Sequence, residues 1–218
     1  MKTAIFDLDG TLANTLTDLA DAVNYGLDKL SCPRHPYDSY RYFLGNGAKI
    51  LCYRALPQNK KELTDTLHSY FSEYYGEHYL DETRLYPGIK EALSELAENG
   101  VALAVATNKP QEVARKIVKV LLPNLPFVKV LGGCDERPKK PDIAIIAEIV
   151  NELPSSDNEV FMIGDSNVDI QTAQNAGIQS IGCAWGFRGR TELEDAGADF
   201  IAESAADIAR VILNDDNI

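Results

Sequence analysis

Two acidic residues near the start of the chain, Asp7 and Asp9, have the type and spacing for chemistry at a single centre. They follow the apolar run of residues 3–6, which predicts a buried strand, so both carboxylates are placed where that strand ends. Ligands of open α/β sheets bind just beyond the carboxyl ends of the strands. Paired carboxylates can divide the roles of nucleophile, metal ligand and proton donor. The end of the first strand is therefore predicted to be a reaction centre.

A second acidic pair follows another apolar run, residues 160–163. Asp165 comes at the predicted strand end, and Asp169 follows about one helical turn later. Together with Asp7 and Asp9 these acids could hold Mg²⁺, which takes few protein carboxylates and keeps waters and substrate phosphate oxygens. Asp169 alone would equally suit the first turn of a helix, where the helix dipole favours an acid. The four acids together favour a metal site.

Polar and basic residues follow the other predicted strands. Thr107 and Asn108 come after the run of residues 101–106 and supply a hydroxyl and backbone N–H groups, which stabilise an anion at a strand end before a helix. A basic stretch, residues 137–140, precedes Pro141 and a predicted helix with Ile143 and the isoleucines that follow it. Each signal is weak alone, and together they predict an anion site.

The elements that position these residues are predicted from apolar runs and helix punctuation. Strand-like runs occur at residues 3–6, 101–106, 127–131, 160–163 and 180–184. Helix signals lie between them: Pro87 and Gly100 bound one segment, Pro110 begins another, and Ser204 with Asp207 resembles a capping box. This alternation predicts an α/β fold with a doubly wound parallel sheet.

Residues 14–83 interrupt the alternation because no convincing strand follows the first one. Apolar side chains recur there with helical spacing, in one stripe from Leu16 to Leu30 and another from Leu63 to Tyr74. We predict a helical cap domain at 14–83, inserted into a catalytic core formed by 1–13 and 84–218. The turn at 45–47 could be a plain helix connection or a loop facing the active site. Residues 215–218 are predicted to be a frayed tail.

Composition excludes several classes of protein. The 218 residues are 45% hydrophobic and 25% charged, as in a globular soluble protein. No apolar run approaches the roughly 20 residues that span a bilayer, and no signal-peptide pattern is visible, so we expect a cytoplasmic protein without a membrane partner. A net charge of −12 argues against nucleic acid as a partner. Four scattered cysteines are interpreted as free thiols.

Four segments resemble, in order, the motifs of the haloacid dehalogenase superfamily: residues 6–12, 107–109, 140–142 and 164–169. The insert resembles the C1 cap of that superfamily. Residues 44–48, 85–88, 185–188 and 196–199 resemble its phosphoglycolate phosphatase branch. The third motif departs from the usual pattern, because Ile143 stands where a further proline is common and Lys139 adjoins Lys140. We favour Lys140 as the motif lysine because it directly precedes Pro141.

The resemblance implies a Mg²⁺-dependent phosphoric monoester hydrolase for a small metabolite, with 2-phosphoglycolate favoured. Asp7 would be the nucleophile that forms an aspartyl-phosphate, and Asp9 would protonate the leaving oxygen and then activate water. Mg²⁺ would be held by Asp7, the backbone carbonyl of Asp9, Asp165 and Asp169. The phosphoryl oxygens would be bound by the remaining motif residues, Thr107, Asn108 and Lys140.

Other functions remain open at this point. A β-phosphoglucomutase-type phosphomutase or a pyrophosphatase would carry the same motifs. A 2-haloacid dehalogenase is disfavoured because that branch lacks an acid at the position of Asp9, and a non-catalytic binding protein would have no need of all these groups. Cations that could select a substrate carboxylate, although each also suits a solvated surface, are Arg41, Lys49, Arg54, Arg188 and Arg190. We expect a monomer or a homodimer.

Overall fold

The computed structural model describes residues 1–153 and 159–213, so the predicted tail at 215–218 lies outside the described residues. The elements in chain order are β1 (Thr3–Phe6), β2 (Ala13–Asn14), α1 (Leu16–Lys29), α2 (Tyr37–Phe43), α3 (Ala48–Ala55), a 3₁₀ helix (Gln58–Leu63), α4 (Thr64–His78), β3 (Arg84–Leu85), α5 (Ile89–Glu98), β4 (Ala102–Pro110), α6 (Gln111–Leu121), β5 (Phe127–Gly133), α7 (Ala144–Val150), β6 (Val160–Gly164), α8 (Asn167–Ala176), β7 (Gln179–Cys183), α9 (Gly189–Asp195), β8 (Phe200–Ala202) and α10 (Ala205–Leu213).

A six-stranded sheet in the order β5-β4-β1-β6-β7-β8 forms the centre of the fold, and every neighbouring pair is parallel. The predicted α/β class and parallel sheet are confirmed, with the five predicted strands present and β8 added. At the predicted capping box, the N–H and hydroxyl of Ser204 both donate to the Asp207 carboxylate. Ile143, which was predicted to lie within a helix, instead precedes α7 and is exposed.

Helices cover both faces of the sheet because its strands alternate apolar side chains between two clusters. In β1, Ala4 and Phe6 pack in the cluster that includes α5, α6 and α10, whereas Ile5 packs in the cluster that includes α7 and α8. A strand buried on both faces needs a continuous apolar run, which is the pattern of residues 3–6. The polar residues that follow each central strand are thereby held at one edge of a rigid sheet.

Helices α1 to α4 pack around a separate apolar cluster. It contains the predicted stripe residues Leu19, Val23 and Leu27 of α1 and Leu67 and Phe71 of α4. None of the helices within the described ranges is both long and apolar enough to cross a bilayer. All four cysteines, which lie in the described part of the chain, are unpaired as predicted.

The chain passes from the sheet to this helical cluster and back again, and the two connecting segments lie side by side. Strand β2 pairs antiparallel with β3, and Asn14 lies opposite Arg84. The buried carboxylate of Asp18 accepts hydrogen bonds from the backbone N–H groups of Glu82 and Thr83, each at 2.9 Å, and from the Thr83 hydroxyl at 2.7 Å. The first turn of α1 is thus tied to the segment that returns to the sheet.

Removing this tie should destabilise the protein. We expect Asp18→Ala to lower the free energy of unfolding by about 2–3 kcal/mol, because it leaves buried donors without an acceptor. Urea denaturation would measure the change. The control is Asp28→Ala, on the same helix, which removes an exposed pair with Arg34 and should have a much smaller effect. Equal effects of the two substitutions would show that the Asp18 contacts do not hold the junction.

Candidate active site

The carboxyl ends of three adjacent strands, β4, β1 and β6, bring the predicted site residues together. Asp7 directly follows β1, Asp165 directly follows β6, and Thr107 and Asn108 lie near the end of β4. All four are buried. They line a cleft with about 640 Å³ of empty space between the sheet edge and the helical insert.

Three carboxylates meet in this cleft: Asp7, Asp165 and Asp169 each present an oxygen within 4.8 Å of the others. The Lys140 ammonium lies among them, with Nζ 2.9 Å from Asp7 Oδ1 and 2.6 Å from Asp169 Oδ1. The described cluster therefore combines three acidic groups with one cation.

Because these groups are buried, their excess of negative charge is energetically unfavourable. Loss of solvent, followed by repulsion from Asp169 and Asp7, raises the pKa of Asp165 well above its ordinary value. Burial also raises the pKa of Asp169, against the attraction of Lys140. Burial acts to lower the pKa of Lys140, but attraction to Asp169 and Asp7 outweighs it and raises that pKa, so the side chain remains an ammonium. A further positive charge would relieve the repulsion among the acids.

The donor set fits a hard divalent cation. It consists of carboxylate oxygens from three buried residues, and Mg²⁺ prefers oxygen ligands and one or two carboxylates beside waters. Asp9 lies outside the group of three carboxylates, so any contribution from this residue would come through its backbone carbonyl, as the motif resemblance implies.

Glycines allow the carboxylates to approach so closely. A Cβ added to Gly186 would overlap the Asp165 side chain, and one added to Gly164 would overlap Asp169. Asp165 Oδ2 accepts a hydrogen bond from the Phe187 N–H at 2.7 Å. Any larger residue at these glycines would therefore displace an acid.

The sequence offered two interpretations of Asp169, an acid in the first turn of a helix and a member of the acidic cluster. Both apply to the same side chain. Its Oδ2 accepts hydrogen bonds from the N–H and hydroxyl of Ser166, at 3.2 and 2.8 Å, and so forms a capping box at the start of α8. Its Oδ1 contacts Lys140. The helix end therefore orients an acid that also belongs to the cluster.

The position of Lys140 depends on Asn108. The Asn108 side chain accepts a hydrogen bond from the Lys140 N–H at 2.9 Å and donates to the Lys140 carbonyl at 3.1 Å and the Gly45 carbonyl at 3.0 Å. Lys139 is exposed, and its ammonium lies beside Gly47. Of the two lysines left open from sequence, Lys140 is the one that contacts the acids.

Asp9 is held by a different set of residues. Its carboxylate accepts a hydrogen bond from the Thr15 hydroxyl at 2.7 Å and lies 2.9 Å from the Lys109 ammonium. Burial acts to lower the pKa of Lys109, but attraction to Asp9 and Tyr75 outweighs it and raises that pKa. The sequence places Lys109 in a motif but gives it no role. A lysine that continues an apolar strand does, however, indicate a buried ammonium paired with an acid.

The cations considered for substrate selection differ in position. Of the five, only Arg188 lines the cleft, and its guanidinium donates to the Leu44 carbonyl at 3.1 Å. Arg54 bonds to the turn at Asn46. The other three pair with acids at the surface, and they are Arg41, Lys49 and Arg190. Gly45 and Gly47 also line the cleft, so the turn at 45–47 faces the site and is more than a plain helix connection.

Known proteins are similar to this chain over nearly its whole length. The family described as haloacid dehalogenase-like hydrolase matches residues 4–183. A relative from Mannheimia succiniciproducens named phosphoglycolate phosphatase is 36% identical over 95% of this chain and 96% of its own length. One of the same name from Haemophilus influenzae is 34% identical over the same shares. A crystal structure of a predicted phosphoglycolate phosphatase from Haemophilus somnus has a TM-score of 0.86 and 30% identity, with 97% of each chain covered.

A divalent cation should stabilise the folded protein through the three acids. We expect Mg²⁺ to raise the melting temperature, with about 2.7 kcal/mol of stabilisation at a free concentration one hundred times its dissociation constant. Thermal denaturation at matched ionic strength would measure the effect.

The matched variants are Asp165→Asn, which removes a charge from the cluster, and Asp207→Asn, which changes a helix-capping acid away from the cleft. The first should lose the Mg²⁺-dependent rise and the second should keep it. A wild-type melting temperature that does not respond to Mg²⁺ would contradict the assignment of a metal site.

Proposed function

The chain belongs to the haloacid dehalogenase-like hydrolase family, and we propose that this phosphoric monoester hydrolase uses Mg²⁺ to hydrolyse 2-phosphoglycolate through an aspartyl-phosphate on Asp7. The family predicted from the four motifs is thereby confirmed. The observation that carries the proposal is the placement of Asp7 beside Lys140, Asp165 and Asp169 at one sheet edge.

Asp7 has the environment that a carboxylate nucleophile needs. It is buried at a strand end, and the Lys140 ammonium lies 2.9 Å from its Oδ1 atom. In the proposed step an Asp7 oxygen forms a bond to phosphorus while the bond from phosphorus to the leaving oxygen breaks. Water then attacks phosphorus, and inorganic phosphate leaves Asp7.

The phosphoryl group would be held by residues at the ends of β4 and of the loop before α7. Thr107 and the Asn108 N–H would bind its oxygens, and Lys140 would offset their charge. When bound, Mg²⁺ would neutralise negative charge shared by the acids and the phosphoryl oxygens. Asp7, the Asp9 carbonyl, Asp165 and Asp169 are the residues that would hold it.

Asp9 would donate a proton to the leaving oxygen and later accept one from water. Its carboxylate lies apart from the three clustered acids and is bonded to Thr15 and Lys109. A separate position suits a separate role, because paired carboxylates in different surroundings can divide acid and nucleophile between them.

The substrate proposal rests on the named relatives and on the cleft. Relatives that are 36% and 34% identical over nearly the full chain carry the name phosphoglycolate phosphatase. Arg188 lies in the cleft, where it would offset a carboxylate on the leaving group. Apolar side chains of the helical insert, among them Leu51 and Phe71, line the same space and would exclude water.

The division of the chain into a core (1–13 and 84–218) and a cap (14–83) is part of this proposal. The separate apolar cluster of α1 to α4 and the pairing of β2 with β3 support it. A cap over the cleft would allow a small metabolite to be enclosed during reaction. Cytoplasmic location and a monomeric or homodimeric state stay predictions.

Phosphate release from a panel of esters tests this function. The panel contains 2-phosphoglycolate, sugar phosphates, nucleotides, pyrophosphate and p-nitrophenyl phosphate, each with Mg²⁺ and with EDTA. We expect 2-phosphoglycolate to be the preferred substrate, EDTA to abolish turnover, and added Mg²⁺ to restore it.

Variants connect that activity to the site. Asp7→Asn should lower kcat by a factor on the order of 10⁴ or more, because no nucleophile remains. Lys140→Met should lower it by roughly 10²–10³. Asp135→Asn, at an exposed acid in the preceding loop, should match the wild type. Conversion of a sugar monophosphate into an isomer would instead indicate a mutase, and preferred release from pyrophosphate a pyrophosphatase.

A further inference from the structure

Lys109 is a buried cation to which the proposed reaction assigns no task. Its side chain is 1% exposed, and its ammonium contacts two groups: the Asp9 carboxylate, at 2.9 and 3.2 Å, and the Tyr75 hydroxyl, at 2.7 Å. A buried ammonium is stable only where such partners surround it. The place of Lys109 is therefore set by Asp9 and Tyr75 together.

These two partners come from different parts of the fold. Asp9 follows the central strand β1, whereas Tyr75 is on α4 of the helical insert. Tyr75 is buried in the apolar cluster of that insert and stacks on Phe71, with ring centroids 5.1 Å apart. Its ring also lies 4.7 Å from the Lys109 ammonium. Lys109 thus links the insert to the side chain proposed as acid and base.

Lys109 lines the cleft, but its ammonium is already bonded to protein groups. With 1% of its side chain exposed, its ammonium lies 2.9 Å from Asp9 Oδ1 and 2.7 Å from the Tyr75 hydroxyl. Arg188 lines the cleft and is the better candidate for a substrate carboxylate. We therefore expect Lys109 to affect the reaction through Asp9, whose two carboxylate oxygens it contacts.

We propose that Lys109 is a positioning residue that places the Asp9 carboxylate for proton transfer to the leaving group, and that Tyr75 makes this placement depend on α4 lying against the sheet edge. The inference rests on the proposed function, in which Asp9 protonates the leaving oxygen. If α4 moved away, Lys109 would lose Tyr75, one of its two partners. The Lys109 ammonium would hold the Asp9 carboxylate less rigidly, with Thr15 as the remaining contact. Proton transfer would then be favoured when the insert covers the cleft.

The choice of leaving group separates this role from a general structural one. An alkoxide needs a proton as it leaves phosphorus, whereas acetate leaves acetyl phosphate as a stable carboxylate. The value of kcat/KM reports the steps up to departure of the leaving group. We would measure it for 2-phosphoglycolate, ethyl phosphate and acetyl phosphate in the full-length chain with Mg²⁺.

We expect Lys109→Met to lower kcat/KM by about a hundredfold for both alkyl phosphates, since misplacing a catalytic group by about 1 Å can cost that much. Acetyl phosphate should be little affected. Tyr75→Phe should give a smaller loss with the same selectivity. The matched control is Tyr40→Phe, which removes another buried tyrosine hydroxyl of the insert, one bonded to Asn24; the ratio among substrates should not change.

Other outcomes would overturn the inference. Equal losses for all three substrates would mean that Lys109 supports the fold or phosphoryl binding. A loss confined to 2-phosphoglycolate would mean that Lys109 binds the substrate carboxylate. Circular dichroism would verify folding, and Tyr75→Phe carries the same comparison if Lys109→Met does not fold. If the wild type hydrolyses none of the esters, the proposed function itself fails, which is distinct from a wild type that is active and variants that lack selectivity.

Discussion

The repulsion among three buried carboxylates is the constraint on which the site depends. Asp7, Asp165 and Asp169 converge at one edge of the sheet with a single ammonium, that of Lys140, between them. Such groups are stable in a dry interior only if partners compensate them. Hydrogen bonds from Ser166 and from backbone N–H groups supply part of the compensation, and a divalent cation would supply the rest. This excess of buried negative charge lowers the stability of the fold. It also favours the binding of a divalent cation, which in turn can bind an anionic substrate.

The parallel sheet provides the rigidity that this arrangement requires. Adjacent strand ends place acids and an amide within reach of one another, and the side chain of Asn108 fixes the backbone of Lys140. The helical insert contributes a second layer of contacts around the site. These come from Tyr75, from Leu44, whose carbonyl accepts a hydrogen bond from Arg188, and from the turn at 45–47. The sheet thus holds the reacting groups, whereas the helical insert lines the access to them. Contacts between the two parts, chiefly those of Lys109 and Asn108, would allow the insert to influence the reaction.

Much of the fold follows from local patterns, but some contacts do not. Apolar runs that end in acids predicted β1 and β6 because strands buried on both faces need continuous apolar residues. Strand β8 is three residues long and too short to give such a signal. The contacts of Asp18 have no local signal, since its partners lie 64 and 65 residues further along the chain. Pairing of β4 with β5 is irregular between Ala106 and Pro110, so strand alternation could not predict where Lys109 points.

The central claim is that Asp7 carries the phosphoryl group during turnover. The most direct measurement is an acid quench of the enzyme while it hydrolyses 2-phosphoglycolate with Mg²⁺, followed by mass spectrometry of its peptides. The account predicts a phosphoryl group on the peptide that contains Asp7, located at Asp7 and absent when EDTA replaces Mg²⁺. Continued turnover with no phosphoryl group on Asp7, or with one on another residue, would contradict it.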